Sequence, residues 1–341
     1  MTSPSDPASP TSSPTTALLL CNLGTPDAPT APALRRYLAE FLSDRRVVEI
    51  PRLVWLPILH GIILRTRPKK SAAKYASVWM PEGSPLKVWT ERQTKLLQGM
   101  LGERGHRLTV RYAMRYGNPG IASVLDQLRA EGIERVLVLP AYPQYCGATT
   151  GSVTDAVAQW ALKTRALPEL RFVNRYHQEP AYINALADSV RRHWQANGQA
   201  ERLVMSFHGV PARTVALGDP YQAECLETGL RLAQALNLKA EQFLITFQSR
   251  FGKAAWLEPY TEPSLIRLAK EGIASVDLIC PGFATDCLET LEEIDQEARQ
   301  AFIVAGGKRF GYIPCLNDSE PGMRALVAVA ERQLQGWPTQ D

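Results

Sequence analysis

Two stretches of this 341-residue chain read alike: Glu131-Gly132-Ile133-Glu134-Arg135-Val136-Leu137-Val138-Leu139-Pro140 and Glu271-Gly272-Ile273-Ala274-Ser275-Val276-Asp277-Leu278-Ile279-Cys280-Pro281. Each runs from a glycine turn through a short apolar run to a proline, the pattern of a buried strand closed by a chain breaker. Two further pairs surround them in the same order: Leu23-Gly24-Thr25-Pro26 with His208-Gly209-Val210-Pro211, and Arg115-Tyr116-Gly117 with Arg250-Phe251-Gly252. Matches repeated in order predict a duplicated domain.

Strand-like runs alternate with helical patterns along the whole chain, which argues for parallel sheets built from βα units. The candidate strands are residues 17–23, 108–114, 135–139 and 170–174 in one half, then 202–207, 243–247, 275–280 and 309–313 in the other. The expected fold is therefore α/β: two similar Rossmann-like domains, each a four-stranded parallel sheet flanked by helices. The domains are expected at 17–175 and 176–316. Residues 317–341 should hold a helix, at about 320–335, that packs back on the body.

Gly24 and Gly117 are much further apart than Gly209 and Gly252, so the first domain carries an insertion at about residues 30–85. An insertion after a strand lies at the carboxyl end of the sheet, where open α/β folds bind ligands. It is expected to form one wall of a cleft between the domains. Within it, residues 50–64 (IPRLVWLPILHGIIL) are too short and too interrupted to span a bilayer. Followed by Arg65, Arg67, Lys69 and Lys70, they read either as a buried segment beside a solvated charge run or as an apolar lip suited to an anionic membrane surface.

The net charge of +4 lacks the dense basic runs of a nucleic-acid binder. The six cysteines form no CxxC pair and fit a reducing cytosol. Residues 1–16, rich in Pro, Ser and Thr, read as a disordered tail rather than a signal peptide. The expected location is cytoplasmic, with peripheral contact on the inner membrane through residues 50–70.

The chemistry concentrates in two strand ends. His208 takes the place of Leu23 in the repeat, so the scaffold does not require an imidazole there. It reads as a metal ligand or general base, or as a hydrogen-bonded histidine at a domain edge. Asp286, Glu289 and Glu293 follow another strand end of the same half at i, i+3 and i+7, one face of an α-helix if a helix starts near Asp286. Carboxylates with imidazole suit a labile divalent first-row metal. Glu292, Asp295 and Glu297 read as solvated surface.

Taken together, Leu-Cys-Asn-Leu-Gly-Thr-Pro (20–26), Gly-Ser-Pro-Leu (83–86), Met-Arg-Tyr-Gly (114–117), Tyr-Pro-Gln-Tyr (142–145), Ser-Phe-His-Gly-Val-Pro (206–211), Phe-Gln-Ser-Arg-Phe-Gly (247–252) and Asp-Cys-Leu-Glu-Thr-Leu (286–291) resemble the ferrochelatase family, in its proteobacterial form. The resemblance implies a chelatase-type fold and a lyase that inserts Fe2+ into protoporphyrin IX in the last step of haem biosynthesis. It implies His208 and Glu289 as catalytic and iron-contacting residues, and Asp286 and Glu293 as a proton or metal path. Leu23, Arg115, Tyr116, Tyr145 and Trp256 would bind the porphyrin. Iron is then substrate. No tightly bound cofactor is expected, and no iron-sulfur cluster, because only Cys315 lies in the C-terminal part. Cys287 stands where other members have histidine. Alternatives are a chelatase for coproporphyrin III or a sirohydrochlorin-type ring, and a non-catalytic porphyrin or haem carrier. The chain is expected as monomer or homodimer.

Overall fold

The computed structural model describes residues 15–252 and 254–340. It holds two four-stranded parallel sheets. The first contains β1 (Thr16–Thr25), β2 (Thr109–Gly117), β3 (Arg135–Pro140) and β4 (Glu169–Phe172) in the order β2-β1-β3-β4. The second contains β5 (Arg202–His208), β6 (Phe243–Gln248), β7 (Ser275–Ile279) and β8 (Arg309–Ile313) in the order β6-β5-β7-β8. The expected pair of similar α/β sheets is what forms. Thr16, assigned to the tail, instead opens β1 and is fully buried, while residues 1–14 of that tail lie outside the described residues.

The central strands are apolar on both faces, as a sheet covered by helices on both sides requires. Ala17, Leu18, Leu19, Leu20 and Cys21 of β1 have no solvent exposure, nor do Val204, Met205 and Phe207 of β5. Burying each large aliphatic or aromatic side chain is worth roughly 1.5–3 kcal/mol, so β1 and β5 anchor their halves.

The helices at the two chain crossings are exchanged between the halves. The Pro180–Asn197 helix follows β4 but packs on the Tyr221–Ala235 helix and β8 of the second half. The Glu320–Leu334 helix follows β8 but returns to β3 and to the Pro85–Glu103 helix of the first half. Its buried stripe of Met323, Leu326, Val327, Ala330 and Leu334 has helical spacing. Behind it, Trp337 donates Nε1–H to Glu169 at 2.8 Å and lies under the Arg171 guanidinium, 4.1 Å from the ring centre.

The insertion between β1 and β2 is helical. Ala31–Ser43 is followed by Arg52–Ile58, a π-type turn at Leu59–Ile63 and Leu64–Val78. One face buries Tyr37, Leu38, Leu42, Trp55, Leu59, Leu64 and Tyr75 in a cluster that also takes in Tyr116 of β2. The other leaves Leu53 93% exposed, with Val54 and Ile62 also in solvent. Residues 50–64 are thus neither wholly buried nor wholly free. Among the described residues no helix is long and apolar enough to cross a membrane.

Candidate active site

Both strand-end glycines are fixed by backbone approach. A Cβ on Gly24, which has φ +110, would lie 1.7 Å from the Tyr116 carbonyl oxygen, and one on Gly209 would lie 2.6 Å from that of Gln248. The neighbouring strand allows only glycine at these two places, which explains why the repeat preserves them while the preceding residue changes from Leu23 to His208. His208 ends β5 half-buried. Its Nδ1 lies 2.6 Å from the Gly209 carbonyl oxygen, and a carbonyl only accepts. Nδ1 therefore carries the hydrogen, and in the neutral ring Nε2 keeps the lone pair.

The helix bearing the carboxylates is not the α-helix expected from their spacing. Residues Glu289–Ala298 form a π-helix, with wider i→i+5 bonding. Asp286 precedes it, so the i, i+3, i+7 stack does not form. Glu289 opens the π-helix. Its carbonyl oxygen accepts from Gln248 Nε2 at 2.9 Å, which ties the start of the helix to the end of β6. Glu293 accepts from the Ser249 amide at 2.7 Å and from the Ser249 hydroxyl. Ser249 holds a left-handed φ of 67, a strained conformation for a side-chain-bearing residue that often marks a functional site. Burial pushes the Glu293 carboxyl above its ordinary range; the Ser249 bond and His208 pull it down, and Glu289 pushes it up. His208, Glu289 and Glu293 thus share one electrostatic neighbourhood.

Asp286 is buried and saturated. It accepts from Asn317 Nδ2 at 2.7 Å, Tyr312 Oη at 2.5 Å, Thr290 Oγ1 at 3.1 Å and the Cys315 amide at 3.3 Å. These bonds fasten the start of the π-helix to β8 and the segment after it. Glu292, expected on the surface, is 8% exposed and pairs with Lys74 of the insertion at 2.9 Å. Lys74 also reaches Glu297 at 2.8 Å.

The insertion lines this region, as a wall expected of it would, with two phenols that sequence reading did not single out. Leu23, Tyr37, Tyr75, Leu86, Cys287 and Glu289 line a narrow space of about 10 Å3. Burial pushes the Tyr37 and Tyr75 phenols up, with smaller contributions from neighbours that include Glu289, so both stay protonated. Burial likewise raises Tyr142, with smaller contributions from its neighbours, Glu289 among them. The Cys287 thiol is pushed up by burial and by Glu289, which makes it a neutral neighbour and not a thiolate ligand. Among the described residues no three His, Cys, Asp or Glu side chains converge into a ready metal cage.

The remaining candidates divide. Trp256 packs its ring edge over Gly209, with its indole nitrogen buried and unbonded. Tyr116 is wholly buried under the insertion, and its hydroxyl donates to Asp44 at 2.8 Å. Arg115 is committed elsewhere: Nη2 donates to Asp44 at 2.6 Å and Nε to Ser152 Oγ at 2.6 Å, and its side chain lines an outer cavity away from Glu289. Asp44 was not legible as a hub. Burial pushes its carboxyl up, but the bonds from Ser152, the Arg46 amide and Tyr116, with the Arg115 charge, hold it below its ordinary value. Tyr145 is half-buried beside Arg175, whose guanidinium lies 5.6 Å from its ring centre.

A family model described as Ferrochelatase matches residues 15–334. A ferrochelatase of Polaromonas sp. is 67% identical over 331 residues, covering 97% of this chain and 90% of that protein. One from Methylibium petroleiphilum is 67% identical over 324 residues, covering 95% of this chain and 89% of that protein. Among solved structures, the sirohydrochlorin chelatase SirB from Bacillus subtilis aligns with a TM-score of 0.52 at 10% identity, over 93% of this chain and 94% of that one, a likeness of fold. The family match runs through both sheets and takes in every candidate residue described above, so the chain belongs to the ferrochelatase family.

Proposed function

We propose that this chain inserts ferrous iron into protoporphyrin IX, with His208 and Glu289 on opposite faces of the macrocycle as the reacting groups. The observation that carries this reading is the His208 ring. Its Nδ1 is tied to the Gly209 carbonyl, so Nε2 is the free base. Iron entry replaces two pyrrole N–H protons, and a lone pair held at the end of β5 can accept one of them. General-base help of this kind is worth roughly 10²–10⁴-fold in rate.

Glu289 stands beside the space walled by Leu23 and the two phenols, and receives iron from the side opposite His208. Glu293, with its carboxyl raised by burial, takes up and passes on protons in the same neighbourhood. Asp286 acts as an anchor of the π-helix, because its side-chain bonds go to Tyr312 of β8, to the segment after β8 and to Thr290. Leu23, Tyr116, Tyr145 and Trp256 shape the cleft, and Arg115 supports it through Asp44. The space enclosed there is only about 10 Å3, far below the roughly 300–1,000 Å3 of ordinary ligand sites, so the insertion swings aside to admit the ring. Of its links to the π-helix through Lys74, the exposed pair with Glu297 is worth only about 0–1 kcal/mol, so the bond that chiefly resists the movement is the one to the buried Glu292.

The exposed Leu53, Val54 and Ile62, with the basic residues after them, bring the lip to an anionic membrane surface on the cytoplasmic side. The enzyme works without a tightly bound cofactor or an iron-sulfur cluster. The deciding experiment compares wild type with Glu289→Gln and His208→Ala. Both variants should keep porphyrin binding, measured by absorbance, and lose iron insertion by at least about 100-fold. Unchanged turnover in either would refute the assignment of that residue.

A further inference from the structure

The loop after β3, residues 141–147, carries Tyr145 and Tyr142, the latter with Glu289 among its neighbours, but is fastened to the other half of the molecule. The Tyr145 amide donates to Glu224 Oε2 at 2.7 Å and the Gly147 amide to Asp219 Oδ2 at 2.7 Å. Gln144 Nε2 donates to Thr228 Oγ1 at 2.9 Å. All three acceptors lie on, or just before, the Tyr221–Ala235 helix, which follows His208 in the chain.

The second half provides an internal comparison. Thr149 Oγ1 bonds the Cys146 carbonyl as Thr290 Oγ1 bonds that of Cys287, and the Tyr176 amide bonds Pro143 as the Asn317 amide bonds Ala284. In this alignment Tyr145 corresponds to Asp286 and Tyr176 to Asn317. The Asp286 amide is held inside its own half, by Asn317 Oδ1 at 2.8 Å. Tyr176 gives no such acceptor: its ring is buried edge-on against Tyr182, with ring centres 5.6 Å apart. The Tyr145 amide is therefore satisfied from across the seam. Glu224, 4% exposed, is compensated there by Arg175 at 2.5 Å and stands 3.3 Å from His177. A Cβ on Gly147 would lie 3.2 Å from Asp219, so the close approach favours glycine.

We propose that Glu224 and Asp219 are positioning residues for the reaction. They lock the Tyr142–Tyr145 loop to the half that carries His208, so that loop and imidazole move as one wall of the porphyrin cleft. This rests on the function given above. Neither carboxylate needs to touch the substrate; each acts through the backbone of the loop.

The test compares Asp219→Ala, Glu224→Ala and Glu224→Gln with wild type, in the full chain. It reads KM for protoporphyrin IX, kcat, and amide hydrogen exchange residue by residue. A lost carboxylate–amide bond should raise KM about tenfold in the two alanine variants, with kcat within about twofold. Exchange should quicken at Tyr145 and Gly147 and not across the sheets. Glu224→Gln, which keeps an acceptor oxygen, should stay near wild type. An unchanged KM in folded Asp219→Ala, or exchange that quickens throughout both halves, would overturn the proposal. If Glu224→Ala does not fold, Asp219→Ala decides, since Asp219 is only half-buried. Wild type inactive on every porphyrin would refute the assigned function instead, and the exchange measurement would still test the lock.

Discussion

At His208 the neighbouring carbonyl decides which nitrogen can react, and at Glu293 a single serine tunes the carboxyl. Ser249 holds Glu293 through both its amide and its hydroxyl. Glycine accepts a φ of 67 without strain, so Ser249→Gly removes the hydroxyl bond while leaving the amide bond and the backbone in place. The sign of the effect follows from the groups present. Burial already raises the Glu293 carboxyl, the Ser249 bond opposes that rise, and its loss raises the carboxyl further. If Glu293 must be ionised to take protons, the acid limb of the kcat/KM profile should move to higher pH in Ser249→Gly. A limb that stays in place would remove Glu293 from the proton path. Glu293 was singled out in the sequence but Ser249 was not: Phe-Gln-Ser-Arg-Phe-Gly entered only as one motif of the family resemblance, and the serine's work depends on a backbone angle that composition does not report.

Among the elements, strands were the most legible and the active-site helix the least. Apolar runs such as Val136–Leu139 announce a buried strand because both faces must be covered. The Glu289–Ala298 helix misled because three carboxylates at α-helical spacing look the same in sequence whether the backbone closes i→i+4 or i→i+5 bonds. The phenols of Tyr37 and Tyr75 were missed for another reason: they reach Glu289 only after the insertion folds over β1. The root of that insertion makes its own prediction. Asp44 follows the Ala31–Ser43 helix and binds Arg115, Tyr116 and Ser152. Its carboxyl lies below the ordinary value, so its contribution is present above the unfolded carboxylate pKa of about 3.9 and is lost as pH falls through the lower folded value. Asp44→Asn should lower stability at pH 7 by about 3 kcal/mol, because it leaves the Arg115 charge without its partner. The gap between variant and wild type should narrow from about pH 4 downwards. Denaturant unfolding at several pH values checks both points, and a gap independent of pH would contradict them.

Across the whole molecule, the duplication was legible, and the boundary drawn at residue 175 already gave the Pro180–Asn197 helix to the second half. The last helix was expected on the body, but sequence does not say where. Only packing reveals that Glu320–Leu334 reaches β3 and the Pro85–Glu103 helix of the first half. The consequence is energetic. One continuous apolar cluster takes in Leu18, Leu20 and Leu137 of the first sheet, Leu203, Met205 and Ile279 of the second, and Met323, Leu326 and Trp337 of the C-terminal segment. A half cut out of this arrangement would expose the face that its partner's helix covers, and each large side chain uncovered costs roughly 1.5–3 kcal/mol. That is large against the 5–15 kcal/mol by which a whole domain is stable. The two halves should therefore unfold together, in a single calorimetric transition whose van't Hoff and calorimetric enthalpies agree. Trp337→Ala offers the sharper test, because Trp337 follows the last helix and is held to the first half by Glu169 and Arg171. Truncating a buried tryptophan should cost about 3–5 kcal/mol and lower the Tm of the whole transition without splitting it. Two resolved transitions, with only the first shifted, would show that the halves fold independently and that the exchanged helices merely lie between them.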